Sequence, residues 1–161
     1  MGLLLVSIAG HSQTAATNTG ILYISSNTDI FYAGSDFTNS SMLLTNNGQL
    51  YLKGNLTNSQ TPATVGTGTL FLNGTGAQTV SGSAVFKTFN LNSNNSHPGG
   101  ITLNNNLSAS GTHTFVNGYI SSSATPNYLV YEAGSGHTGS SDAAHVEFPP
   151  VHGWRSARAC G

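Results

Sequence analysis

The sequence predicts an all-β chain, folded as a parallel β-helix (β-solenoid) of about five short coils. Three observations carry this. First, Gly, Ser, Thr and Asn together make up nearly half of the 161 residues, while charged residues are only 6%. Ordinary soluble domains carry about 25% charged residues and far more Lys, Glu and Leu. Second, several segments share one pattern, a glycine turn followed by alternating large apolar residues. Third, no segment shows helical periodicity over eleven residues. The hydrophobic fraction of 37% is too high for a disordered chain and suits short strands buried on one side.

The first element is the apolar run Leu3-Leu4-Leu5-Val6-Ser7-Ile8-Ala9, followed by Gly10-His11-Ser12. Small residues at Gly10 and Ser12 fit a cleavage site before Gln13. The run is too short to cross a bilayer and has no basic residues before it. Residues 1–12 therefore read as a truncated signal peptide, with a first strand as the other reading. A signal peptide implies a secreted or bacterial cell-surface protein. The single cysteine, Cys160, excludes an internal disulfide framework.

Residues 13–146 form the predicted solenoid. Its repeated segments are Gly20-Ile21-Leu22-Tyr23-Ile24, Gly48-Gln49-Leu50-Tyr51-Leu52, Gly68-Thr69-Leu70-Phe71-Leu72 and Gly100-Ile101-Thr102-Leu103, with a weaker copy at Gly118-Tyr119-Ile120. Alternation places Leu50 with Leu52, Leu70 with Leu72 and Ile101 with Leu103 on one side of each strand. Stacked coils then put these residues, with Leu107 and Ile120, in one interior column. Tyr51 and Phe71 fall on the opposite side at equivalent places. Asn47-Gly48, Gly99-Gly100 and Asn117-Gly118 are strong turn formers. The copies start 18 to 32 residues apart, a solenoid spacing. Asn46-Asn47, Asn94-Asn95 and Asn104-Asn105-Asn106 recur beside strands, where stacked corners form amide ladders. An antiparallel β-sandwich is the alternative, because Asn-Gly turns also close hairpins.

Residues 147–161 form an atypical tail, or the start of a missing C-terminal domain. Half of all Lys and Arg, the only Trp and the only Cys lie in its last eight residues.

Several functions are excluded by composition. Four cations, Lys53, Lys87, Arg155 and Arg158, do not make a nucleic-acid footprint. No run of about 20 apolar residues exists to span a membrane as a helix. The net charge of -1 gives no strong steering of a partner. The six histidines are scattered, with no pair at metal-ligand spacing. His137, His145 and Asp142 read as one polar surface loop and are the only cluster among them. A glycosidase needs a convergent pair of carboxyl groups. Asp29 and Asp36 sit seven apart, around one corner, with nothing basic beside them. No enzyme activity, cofactor or metal is expected. Tyr23, Tyr32, Tyr51, Phe71 and Tyr119 place aromatic rings outside, with Tyr23, Tyr51, Phe71 and Tyr119 as the candidate glycan contacts. Their plainer reading is an aromatic ladder that seals a sheet.

Gly48-Gln49-Leu50-Tyr51-Leu52-Lys53-Gly54-Asn55-Leu56-Thr57-Asn58 resembles a repeat unit of large secreted surface proteins of Bacteroidetes-type bacteria. Residues 68–82 are similar to their following unit. Phe89-Asn90-Leu91 with Gly100-Ile101-Thr102-Leu103 resembles the next. Gly111 to Ile120 resembles another, with His113 in place of the usual apolar residue. Tyr128-Leu129-Val130-Tyr131 and Asp142-Ala143-Ala144-His145-Val146 follow in the same order. The resemblance covers roughly residues 20–146 and implies a non-catalytic surface repeat, structural or adhesive. Its partner would be an extracellular glycan or a host or matrix surface. A carbohydrate-binding module, or the solenoid part of a polysaccharide-acting enzyme, is the alternative.

Overall fold

The computed structural model describes residues 15–32, 36–122 and 127–147. Among these residues there is no helix, and seventeen strands wind as a parallel β-solenoid with three faces. The first face stacks β1 (Ala15–Asn18), β4 (Asp36–Asn39), β7 (Asn55–Asn58), β9 (Gln78–Gly82), β12 (Ile101–Leu103), the second half of β14 (Thr112–Ser122) and β17 (Ala144–Glu147). The second carries β2 (Leu22–Ile24) on β5 (Leu44–Asn46), then β10 (Phe86–Thr88), β13 (Leu107–Ala109) and β15 (Leu129–Tyr131). The third stacks β3 (Asp29–Tyr32), β6 (Gln49–Leu52), β8 (Thr69–Leu72), β11 (Asn90–Asn94), the first half of β14 and β16 (Gly136–Thr138).

Every strand pair is parallel. The antiparallel sandwich is thereby set aside. Five turns carry a strand on all three faces, in line with the expected count of coils. The turn through residues 55–72 lacks the middle strand. Residues 59–66 follow the coil by single bonds instead, such as Ala63 N–H to the Met42 carbonyl at 2.9 Å. This splits the second face into a two-stranded and a three-stranded sheet.

The predicted inward residues Leu50, Leu52, Leu70, Leu72, Ile101, Leu103, Leu107 and Ile120 are all buried, each at most 1% exposed. Burial of each such side chain contributes about 1.5–3 kcal/mol. They form one interior but not one column. Leu50, Leu52, Leu70 and Leu72 line the third face, Ile101, Leu103 and Ile120 the first, and Leu107 the second. The glycine-led segments are therefore not equivalent copies. Gly48 and Gly68 open third-face strands, and Gly100 and Gly118 precede or open first-face ones. Gly20 precedes a strand of the second face.

The Asn-Gly and Gly-Gly pairs mark corners. Asn117-Gly118 is a bend inside β14, where the register with β11 slips between Ser93 and Asn94 and the strand passes from the third face to the first. Gly118 has φ +75°, and a Cβ there would meet the Asn95 carbonyl oxygen at 2.0 Å. Only glycine suits that position.

Amide ladders run through the interior; the direct Asn–Asn ladder has members not singled out in the sequence, while Asn95, which was, joins Gln78. Asn18 Nδ2 donates to Asn39 Oδ1 at 2.9 Å, and Asn39 Nδ2 donates to Asn58 Oδ1 at 2.8 Å. The ladder ends where Gly82 replaces the next amide, with its φ at +117° and the Asn58 carbonyl in the place of a Cβ. Gln78, also buried, donates to the Leu52 and Gly54 carbonyls and accepts from Gly74 N–H and Asn95 Nδ2. Asn39, Asn58 and Gln78 thus find hydrogen-bond partners inside the fold, which keeps the cost of burying them low.

Candidate functional site

The four candidate aromatics lie on three faces. Tyr51 and Phe71 are register partners on β6 and β8, with ring centroids 4.2 Å apart and planes 17° apart. Each covers one face of the other, as a sealing ladder does. Partial burial raises the Tyr51 hydroxyl pKa, and the Asp29 carboxylate adds to the shift. Tyr23 stands on the second face, 62% exposed, its hydroxyl accepting from Asn47 Nδ2. Tyr119 is on the first face. Its hydroxyl donates to the Pro98 carbonyl and its ring lies 6.2 Å from that of His145. These rings form no common platform. The side chain of Tyr32 lies outside the described residues, as do residues 1–14 and 148–161, with the signal-peptide and tail readings that fall on them.

The cluster of His137, His145 and Asp142 does not form as one loop. His137 is in β16 on the third face and His145 in β17 on the first. The chain turns a corner between them. His145 Nε2 lies 3.3 Å from Glu147 Oε1. Asp29 and Asp36 likewise open strands of different faces, and Asp36 Oδ1 accepts from Asn55 Nδ2 at 2.7 Å. Among the described residues no three of His, Cys, Asp or Glu gather to hold a metal.

A polar cluster that sequence reasoning missed lies inside the last turns. On the third face the inward column runs Ile30, Leu50, Leu70, Leu91, then His113. The neighbouring column runs Leu52, Leu72, Ser93, Phe115. His113 and Ser93 thus replace aliphatic residues on adjacent rungs and bond to each other, Nε2 to Oγ, at 2.9 Å. On the other side, His113 Nδ1 meets the Tyr131 hydroxyl at 2.8 Å, reaching across from β15. A neutral imidazole donates at one nitrogen and accepts at the other, so either tautomer satisfies all three groups. Burial lowers the His113 pKa to about 4, helped by nearby His137, and raises that of Tyr131 to about 12. The order Ser–His–Tyr has the connectivity of a nucleophile, a base and an orienting group. However, Ser93 is 1% exposed and His113 0%, so no substrate reaches them. The signal was present in the sequence. Phe115 sets the inward parity of its strand, and His113 shares it.

A concave feature of the surface lies where the second face is interrupted. A groove of about 260 Å³ is lined by Val65, from the turn without a strand, and by Lys87, Thr88, Ser108, Ser110 and Glu132. Lys87 sits on β10 beside Ser108 on β13, and Glu132 follows β15. Ser108 Oγ donates to Glu132 Oε1 at 2.6 Å, and Lys87 Nζ lies 3.9 Å from the same oxygen. Both charged side chains are 43% exposed. A pair this open is worth little to stability, and its polar groups remain available to a ligand.

No family model, curated protein or solved structure matches the chain.

Proposed function

We propose that the chain is a non-catalytic, secreted repeat segment with a structural or adhesive role at a bacterial cell surface. The observation that carries the reading is the outer side of the first face. Thr17, Thr38, Thr57 and Ser81 are register neighbours there, as are Asp36 and Asn55, and Thr79 and Thr102. Short polar side chains in register make a surface built for contact and for length rather than for chemistry. Buried Ser93 and His113 support the same reading, since their side-chain polar atoms are taken up by each other and by the half-buried Tyr131 hydroxyl. The resemblance to surface repeats of Bacteroidetes-type bacteria points the same way. Among the described residues no helix is long and apolar enough to cross a membrane.

The experiment is adhesion of beads coated with the chain to surfaces of extracellular polysaccharide or matrix protein, alongside turnover assays on the same polysaccharides. Retention without turnover is expected. Hydrolysis or elimination lost in Asp29→Asn or Asp36→Asn would overturn the reading in favour of a polysaccharide-acting enzyme.

A further inference from the structure

We infer that the groove on the interrupted second face binds a single neutral sugar ring, with Lys87 and Glu132 straddling a vicinal diol. The inference rests on the adhesive reading and names the chemistry of its contact.

Three observations converge on it. The groove lies where residues 59–66 form no strand, which leaves a hollow beside β10 and β13. In a chain with 6% charged residues, this hollow gathers one of the two described cations and one of the acids. Their loose pairing at 3.9 Å gives no strong structural reason for their presence.

The groups present match a diol. Each sugar hydroxyl both donates and accepts. The Lys87 ammonium has three donors, and the Glu132 carboxylate has lone pairs beyond the one that Ser108 engages. Ser110 adds a hydroxyl at the rim, its Oγ only 3.5 Å from the Thr88 carbonyl oxygen, a weak contact that is readily exchanged. Val65 offers an apolar surface to ring C–H groups. Lysine and glutamate together carry no net charge, so neither an anionic nor a cationic sugar is favoured. At about 260 Å³ the hollow is smaller than the pockets of roughly 300–1,000 Å³ that hold drug-sized ligands. It fits one ring. So few contacts place the dissociation constant in the millimolar range.

The test is saturation-transfer NMR on the full chain with methyl glycosides of glucose, galactose and mannose, and with sialic acid and glucosamine as charged comparators. Saturable binding of at least one neutral glycoside is expected, weakened tenfold or more in both Glu132→Gln and Lys87→Met. Asp142→Asn, in the turn before β17, should bind as the parent does. No binding of any neutral glycoside, an affinity unchanged in Glu132→Gln, or a preference for the anionic sugar would each overturn the inference. Beads that still adhere when Glu132→Gln is unaffected would remove the groove and leave the adhesive reading standing. Glycoside binding accompanied by turnover of a polysaccharide would keep the groove and remove the non-catalytic reading.

Discussion

Acid should loosen the later turns through His113, and the size of the effect follows from its burial. In the unfolded chain the imidazole titrates at about 6.5. In the folded chain burial lowers this to about 4, with His137 contributing. Above pH 6.5 both states are neutral at this site and the fold has its full stability. Between pH 6.5 and 4 the unfolded chain takes up a proton that the folded chain does not, so stability falls as pH falls. Below pH 4 both states are protonated and the loss levels off. At 1.36 kcal/mol per unit, the total is about 3 kcal/mol. The groups that face the ring are Ser93, Tyr131, Phe115 and His137. Tyr131, held near 12, stays protonated throughout. The assay is an NMR titration of the imidazole, paired with urea unfolding from pH 7 to 4 in the parent and in His113→Leu. The variant leaves Ser93 Oγ without its partner inside the fold and should lose about 1–3 kcal/mol at pH 7. Its stability should then fall less steeply with acid than the parent's. An imidazole that titrates near 6.5 in the folded chain, or parallel pH profiles for the two proteins, would refute the reasoning.

Three further outcomes are expected. Leu70→Asp places an unpaired carboxylate in the interior and should cost more than about 4 kcal/mol, read as loss of the folded circular dichroism signal. Asn39→Ala removes the rung that accepts from Asn18 and donates to Asn58 and the Gln60 carbonyl, and should cost about 3 kcal/mol in urea unfolding. Gly118→Ala forces a Cβ against the Asn95 carbonyl at a left-handed φ and should cost at least about 2 kcal/mol, with faster hydrogen exchange in β14 and β17.

Much of the solenoid was legible in the sequence, because alternation encodes which side chains point inward. Leu50, Leu52, Leu70 and Leu72 were placed correctly, and so was the pairing of Tyr51 with Phe71. Alternation does not encode which of three faces a strand occupies. That depends on how many residues fill the corners, so Gly100 to Leu103 looked like a copy of Gly48 to Leu52 while lying on another face. The ladder of Asn18, Asn39 and Asn58 had a signal in the pairs Thr17-Asn18, Thr38-Asn39 and Thr57-Asn58, spaced by 21 and then 19 residues. Those pairs carry no large apolar residue, so a search led by hydrophobic alternation passes over them. The groove was not legible. Lys87 and Glu132 are far apart in sequence and meet only because β10 and β15 flank β13.

The buried amides explain how so repetitive a chain holds one register. A slip of β7 against β4 by two residues would keep every side chain on its own side of the sheet. Apolar contacts alone would resist it weakly, since Phe37 and Leu56 belong to one continuous apolar core whose contacts are non-directional. The same slip would pull Asn58 away from Asn39 and break the bonds that Asn58 Nδ2 makes to the Ala84 and Val85 carbonyls. Each buried amide group left unpaired costs about 1–3 kcal/mol. The penalty spreads up the stack, because Asn39 also holds Asn18. Gln78 acts likewise between the turns on either side of it, bonding back to Leu52 and Gly54 and accepting from Asn95. The interior amides therefore give little net attraction over the aliphatic core, yet they separate the native register from its nearest competitors. A chain with only 6% charged residues, and with two ion pairs among its described residues, carries that information inside.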